Sequence, residues 1–141
     1  NLTQERAAEE GVRYLPKEAF FADSDYISIH LKYSERNRGL VGADEFSLMK
    51  PTAGIVNTSR APIMDTTALI TALQNGTIGQ AAIDVYDQEP LAKDHPLRAV
   101  PNLILSPHIG YVTEQTFQIF YEETLASLSA MIDGKPIRLL Q

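Results

Sequence analysis

The sequence contains no cysteine, which excludes disulfide bonds and metal sites built on thiolates. This absence fits a reducing compartment, and we expect a cytoplasmic protein. Long apolar runs are also lacking, because the longest are the size of a β-strand and too short to cross a bilayer. The 12 Lys and Arg residues form no basic cluster that could follow a nucleic-acid backbone. We therefore expect neither a membrane nor a nucleic acid as a partner.

The chain has 141 residues, of which 44% are hydrophobic and 21% are charged. This composition is typical of a globular protein, and the length suits one domain. The net charge of −6 favours solubility. The chain opens on "NLTQERAAEEG", which has neither a Met nor a signal-peptide pattern. These residues predict a helix with no strand before it, so we expect that part of the domain precedes them.

Strand and helix patterns alternate along the chain. The predicted strands are 12–15, 25–31, 54–59, 78–85 and 101–107. The predicted helices are 3–10, 16–23, one or two within 34–50, 64–76, and a long one at 113–134. This alternation predicts an α/β fold with a doubly wound parallel sheet, which has helices on both faces. The ligand crevice of such a sheet lies at the carboxyl ends of its strands.

Polar side chains follow three of the predicted strands. In "GIVNTSRAPIMD" the run 57–60 ends on Arg60, directly after apolar residues. The next strand ends at Asp84 and is followed by Glu89, and the last strand leads into His108. Because the carboxyl ends of parallel strands share one edge, we expect Arg60, Glu89 and His108 to converge.

These three residue types suit one kind of chemistry. A guanidinium can bind a carboxylate with two hydrogen bonds. An imidazole is the usual proton donor or acceptor near neutral pH, and a neighbouring carboxylate orients it and favours its protonated form. Together they predict a substrate that carries a carboxylate and gains or loses a proton during the reaction.

Each residue also has a purely structural interpretation. Arg60 alone is typical of a solvated loop, Glu89 of a turn, and His108 of a half-buried structural histidine. Their joint placement at strand ends favours a site. Neither Ser59 nor Ser106 stands in a G-x-S-x-G elbow, which argues against a serine hydrolase. The histidines lack the spacing of metal ligands, so we expect no metal.

Four stretches match a known family in order and spacing: "FADSDYISIHLKYSERNRGLVG", "LMKPTAGIVNTSRAPIMDTTALITALQNG", "AAIDVYDQEPL" and "HPLRAVPNLILSPHIGYVTEQT". Over residues 11–136 the sequence resembles the D-isomer-specific 2-hydroxyacid dehydrogenases. This NAD(P)-dependent family includes phosphoglycerate and glycerate/hydroxypyruvate dehydrogenases. The resemblance implies a partial Rossmann-type fold, NAD or NADP as the cofactor, and hydride transfer to or from a small 2-keto or 2-hydroxy acid.

The resemblance also implies a role for each matching residue. Arg60 would bind the substrate carboxylate, His108 would exchange the proton, and Glu89 would hold His108. Asp84 would lie beside the carboxamide of the nicotinamide. The other residues implied to line the cofactor are Leu31, Thr58, Ser59 and Gly110, together with Arg60 and His108.

The sequence departs from the family pattern in a few places. Ala61 stands where glycine is usual after the arginine, Lys32 replaces a common proline, and Asn37 replaces a common threonine. The family's glycine-rich turn and its substrate domain are both absent from this sequence. We therefore expect residues 1–141 to form the C-terminal portion of an NAD(P)-binding domain, and the isolated chain to be inactive.

Two other functions stay open on the sequence alone. Some relatives bind NAD(H) without turnover and regulate protein partners, as corepressors do. A small α/β domain with an unrelated ligand is the second alternative. The resemblance further implies a homodimer of the full-length protein. The choice between NAD and NADP also stays open, because the residue that reads the adenosine ribose would lie upstream.

Overall fold

A computed structural model describes residues 3–139 of the protein. In the described residues one parallel sheet is formed, in the order β1 (Tyr26–Ile29), β2 (Gly54–Asn57), β3 (Gln80–Ile83) and β4 (Leu103–Leu105). The register aligns Ile29 with Asn57, Asn57 with Ile83, and Ile83 with Leu105, so the four strands end at one level. The predicted α/β class and parallel sheet are confirmed.

Along the described part of the chain, two α-helices precede β1, one lies in each of the first two connections between strands, and one follows β4. The α-helices of the described residues are α1 (Gln4–Glu9), α2 (Lys17–Asp23), α3 (Ala43–Leu48), α4 (Thr66–Gln74) and α5 (Glu114–Ile132). Single turns of 3₁₀ helix span Glu35–Asn37, Ala61–Ile63 and Pro96–Ala99. Over residues 3–139, no helix combines the length and the apolar character that a membrane crossing requires.

The helix ends follow from local sequence. The Thr3 hydroxyl accepts the backbone N–H of Arg6 at 3.2 Å and begins α1. The Asp65 carboxylate accepts the backbone N–H of Ala68 at 2.8 Å and begins α4. Gly76 lies just past α4 with φ +67°, a left-handed conformation that glycine adopts without steric strain. These caps explain why the predicted helix positions are close to the observed ones.

The predicted strand at 12–15 is wrong, because this segment is irregular and exposed. The N–H of Val12, the first in this segment, donates to the carbonyl of Ala7 at 2.9 Å at the end of α1. It is therefore not available to pair with a neighbouring strand. Pro16 follows with no N–H to offer a neighbouring strand. The remaining residues pair with none of the four strands. The other predicted strands each end two residues earlier than expected, since their last residues leave the sheet.

One face of the sheet is buried beneath the connecting helices. Successive strands are neighbours, so right-handed crossovers place the connections on the same face. Accordingly α3 and α4, which lie in the first two connections, contact each other, and α2, which precedes β1, contacts α3. Strand residues facing this layer are buried, among them Ile27, Ile29, Ile55, Ala81 and Ile83. On the opposite face Tyr26 and Ile104 are exposed. The alternation of side chains along each strand therefore separates a core face from an open face.

Contacts divide the described chain into two compact units, the first ending at His108 and the second beginning at Ile109. The sheet belongs to the first unit. The second contains α5, which begins where the Thr113 hydroxyl accepts the backbone N–H of Thr116 at 3.2 Å. The helix corresponds to the one predicted at 113–134. None of its residues is buried, and Phe117 stacks on Tyr121 at 5.9 Å between ring centroids.

Two isoleucines on opposite faces of the sheet test the layering of the first unit, in which helices cover one face of the sheet and the other face is open. Ile55 is 1% exposed, so Ile55→Ala should lower the free energy of unfolding by about 2–5 kcal/mol through lost burial and a residual cavity. Ile104 is 68% exposed, so Ile104→Ala should cost less than about 1 kcal/mol. Urea unfolding of this chain measures both losses, and equal losses would contradict the layering.

Candidate functional site

Glu89 and His108 form a hydrogen-bonded pair at the carboxyl edge of the sheet. His108 follows β4, and Glu89 lies in the segment that follows β3. Nδ1 of His108 is 2.7 Å from Oε2 of Glu89. The other carboxylate oxygen, Oε1, accepts the backbone N–H of Tyr86 at 2.9 Å. Both oxygens of Glu89 are therefore engaged, which fixes the carboxylate and orients the imidazole.

The electrostatics of the pair suit proton exchange. The hydrogen bond with His108 holds the pKa of Glu89 below its usual value, and the N–H of Tyr86 acts in the same direction. Glu89 is therefore ionised at neutral pH. Because Nδ1 of His108 is bound to Glu89, any proton exchanged with a substrate passes through Nε2. This is the arrangement of a general acid–base histidine with a carboxylate partner.

The backbone at His108 is unusual. Its φ of +58° lies in the left-handed region, which few residues with a Cβ adopt. Such a conformation persists only where the surrounding structure enforces it, and it occurs often at functional sites. The sequence does not predict the positive φ of His108, because histidine also adopts ordinary backbone conformations.

The pair lines a cleft of about 320 Å³ within the first unit. The other residues that line it are Tyr86, Pro90, Leu91, Arg98, Leu105, Ser106 and Pro107. The acid–base pair is thus accessible from solvent, and its side chains are about one third exposed.

Asn57, the last residue of β2, shapes the turn that carries Arg60. Its side chain is 1% exposed, and Oδ1 accepts the backbone N–H of Ser59 at 3.0 Å. Nδ2 donates to the carbonyl of Arg60 at 3.1 Å. From the sequence, Asn57 is predicted only as a member of the polar run 57–60, and not in this supporting role. The period of the strand indicates that Asn57 is buried, because side chains two residues apart lie on the same face and Ile55 is buried.

Arg60 leaves this turn with its side chain exposed. One guanidinium nitrogen, Nη1, donates to the carbonyl of Ser59 at 2.6 Å. Within residues 3–139 no carboxylate lies at ion-pair distance from the guanidinium. Arg60 can therefore offer its remaining N–H groups to an anion.

Ala61, which occupies the family's usual glycine position, causes no strain in this turn. It is absent from the described residues with positive φ, and it begins the 3₁₀ turn Ala61–Ile63. Its methyl group is buried. The turn that aims Arg60 therefore does not require glycine.

Leu31, Thr58, Ser59 and Arg60 line a second cleft, of about 510 Å³. The hydroxyl of Ser59 donates to the carbonyl of Leu31 and joins the segments that follow β1 and β2. The structure thus brings these four predicted cofactor residues together. The second cleft does not include His108, so Arg60 and the acid–base pair line separate clefts at the same edge of the sheet.

The last two predicted site residues differ in placement. Asp84 is 4% exposed and follows β3, and its N–H donates to the carbonyl of Asn57 at 3.0 Å. It therefore lies between the residues that follow β2 and those that follow β4. Gly110 belongs to the second unit, and its contact with the cofactor stays a prediction. Across the described residues no group of three or more His, Asp or Glu side chains could hold a metal ion.

Residues 1–110 match the family model described as D-isomer specific 2-hydroxyacid dehydrogenase, NAD binding domain. The chain belongs to this family. The resemblance inferred from the four sequence stretches is therefore confirmed. The parallel sheet is that of a Rossmann-type dehydrogenase, and the domain is of the NAD-binding class.

Known members of this dehydrogenase family resemble the chain over most of its length. A glyoxylate reductase of Aeropyrum pernix is 42% identical over 127 residues, which are 90% of this chain and 38% of the relative. The crystal structure of a phosphoglycerate oxidoreductase from Vibrio cholerae has a TM-score of 0.78 at 34% identity, covering 91% of this chain and 42% of that one. A D-lactate dehydrogenase from Lactobacillus jensenii, solved with NAD+, has a TM-score of 0.80 at 25% identity, covering 100% and 46%. The chain spans less than half the length of each.

Replacing the histidine tests the electrostatics of the pair. In His108→Ala the largest cause of the low pKa of Glu89 is removed, so the pKa should rise towards its usual value of 4.5. The carboxyl carbon signals in a pH titration by NMR measure this change. Glu35 provides an internal control, because Arg38 and Tyr33 hold its pKa at about 2 and neither contacts His108. An unchanged pKa of Glu89 would contradict the pairing.

Proposed function

We propose that the complete gene product that includes this chain interconverts small 2-keto acids and D-2-hydroxy acids with NAD(H) or NADP(H). The observation that carries the proposal is the 2.7 Å contact between His108 and Glu89 at the carboxyl edge of a parallel sheet. Membership of the family and the glyoxylate reductase named among its relatives support this reaction class.

In this proposal His108 is the general acid of the reductive direction. Reduction of a keto group to a hydroxyl needs one hydride and one proton. When bound, the nicotinamide supplies the hydride and takes it back in the oxidative direction. His108 gives the proton from Nε2, while Glu89 at Nδ1 stabilises the protonated ring. In oxidation the same nitrogen takes the proton back.

Arg60 binds the substrate carboxylate in this scheme. Its guanidinium is exposed and is held at one nitrogen by the carbonyl of Ser59. The remaining N–H groups can form the two parallel hydrogen bonds that a carboxylate accepts. The buried Asn57 holds the turn beneath the arginine, so the guanidinium projects from a fixed backbone. Fixing one end of the substrate orients its keto carbon for reaction.

The nicotinamide half of the cofactor is proposed to lie along the same edge, against Leu31, Thr58, Ser59 and Asp84. The residues of the second cleft fit a nicotinamide, because they combine hydroxyls with apolar side chains. Either NAD or NADP suits these residues.

The family and the composition support a proposal for assembly and location. We infer a homodimer of the complete gene product, as is common in the family. The lack of cysteine supports a cytoplasmic location.

Turnover by the complete gene product tests the proposal. We expect oxidation of NADH or NADPH with at least one of glyoxylate, hydroxypyruvate and phenylpyruvate. His108→Gln should lower kcat by about a hundredfold or more, because the proton donor is lost. Arg60→Gln should chiefly raise KM for the keto acid, because the carboxylate loses its bidentate partner.

His95→Gln is a matched control. His95 begins the 3₁₀ turn Pro96–Ala99 and accepts the N–H of Leu97 at Nδ1, so it lies outside the proposed machinery. This variant should retain the kcat of the parent. Binding of NAD(H) without any turnover would overturn the proposal in favour of a regulatory NAD(H)-binding protein.

A further inference from the structure

Tyr86 contacts the site through both its backbone and its side chain. Its N–H donates to Oε1 of Glu89 at 2.9 Å. Its hydroxyl donates to the carbonyl of Ser106 at 2.8 Å and lies 3.2 Å from the carbonyl of Ile83. A tyrosine hydroxyl has one proton to donate, so the shorter contact, to Ser106, is the principal hydrogen bond.

These contacts close a ring that contains both members of the acid–base pair. From Tyr86 the ring passes through the carboxylate of Glu89 to the imidazole of His108. It returns along the backbone through Pro107 to Ser106, whose carbonyl accepts the hydroxyl of Tyr86. Tyr86 therefore ties the segment that follows β3 to the segment that follows β4.

The backbone at His108 needs this support. Its φ of +58° is a sparsely populated conformation that the surrounding structure has to enforce. Pro107 restricts the chain directly before it. One residue further back, the carbonyl of Ser106 is held by the hydroxyl of Tyr86. The hydroxyl thus constrains the Ser106–Pro107 peptide, which leads into the residue that carries the imidazole.

The hydroxyl of Tyr86 is a hydrogen-bond donor at neutral pH. Partial burial raises its pKa above the usual value, and the charges of Asp84 and Glu89 act in the same direction. The charge of Arg98 opposes this rise without reversing it. The hydroxyl is therefore protonated at neutral pH.

We propose that Tyr86 is a positioning residue for the acid–base pair. Its hydroxyl fixes the backbone that carries His108, and its N–H fixes the carboxylate of Glu89. The inference rests on the proposed function, and Tyr86 acts through His108 without touching the substrate. Without the hydroxyl, the imidazole samples a wider range of positions, so proton transfer slows while substrate binding is preserved.

The test is Tyr86→Phe in the complete gene product, since this change removes the hydroxyl and keeps the ring that packs against the core. We expect kcat for keto-acid reduction to fall about tenfold, as loss of one positioning hydrogen bond allows. KM values should stay near those of the parent. The acidic limb of the kcat profile should move to higher pH, because a looser contact with His108 lowers the pKa of Glu89 less.

Tyr26→Phe is the matched control, because it also removes a tyrosine hydroxyl from a hydrogen bond. That hydroxyl accepts from Nε2 of Gln80 at 2.9 Å, at the amino ends of β1 and β3. Tyr26→Phe should leave both kcat and its pH profile unchanged.

A readout without turnover separates this inference from the proposed function. In a pH titration of the carboxyl carbon signals by NMR, Glu89 should titrate at higher pH in Tyr86→Phe than in Tyr26→Phe, because a looser contact with His108 lowers the pKa of Glu89 less. If the parent turns over no keto acid, the proposed function fails and the titration still tests the role of Tyr86. A Glu89 titration identical in the two variants would overturn the inference. So would a Tyr86→Phe variant that loses thermal stability but keeps the kcat and pH profile of the parent.

Discussion

The parallel register of the four strands decides where the candidate residues lie. Because the strands run in one direction and end at one level, the segments that follow them leave the sheet at a common edge. Arg60 follows β2, Asp84 follows β3, and His108 follows β4. The hydrogen bond from Asp84 to Asn57 extends the pairing beyond the last paired residues. A slip of one residue would turn Asn57 out of the core and undo the turn beneath Arg60.

Two sets of hydrogen bonds hold Glu89, His108 and the backbone of Arg60 in place at this edge before any ligand binds. The acid–base pair is fixed by the protein itself, since both oxygens of Glu89 and Nδ1 of His108 are already engaged. Arg60 is fixed at its backbone by Asn57 and keeps most of its guanidinium free. The first arrangement leaves Nε2 of His108 as the ring nitrogen that can exchange a proton. The second leaves the guanidinium of Arg60 available to bind a carboxylate. Preorganisation of this kind lowers the cost of reaching the reactive geometry.

The sequence predicts the parallel sheet and the position of Glu89 and His108 after strands, because strand periodicity and residue type are local signals, and the family resemblance implies their pairing. It does not reveal features that depend on hydrogen bonds between distant segments. The N–H of Val12 is consumed by the end of α1, which removes a predicted strand. The left-handed backbone of His108 and the contact of Tyr86 with Ser106 both depend on the folded edge. Tertiary context therefore decides the finer geometry of the site.

The most direct test of the account is a double-mutant cycle on the kcat of keto-acid reduction by the complete gene product. Glu89→Gln, His108→Gln and the double variant isolate the coupling between the two side chains. If Glu89 acts by holding His108, Glu89→Gln lowers kcat in the parent and has little further effect once His108 is replaced. Fully multiplicative losses would show that the two residues act independently, which would contradict the account.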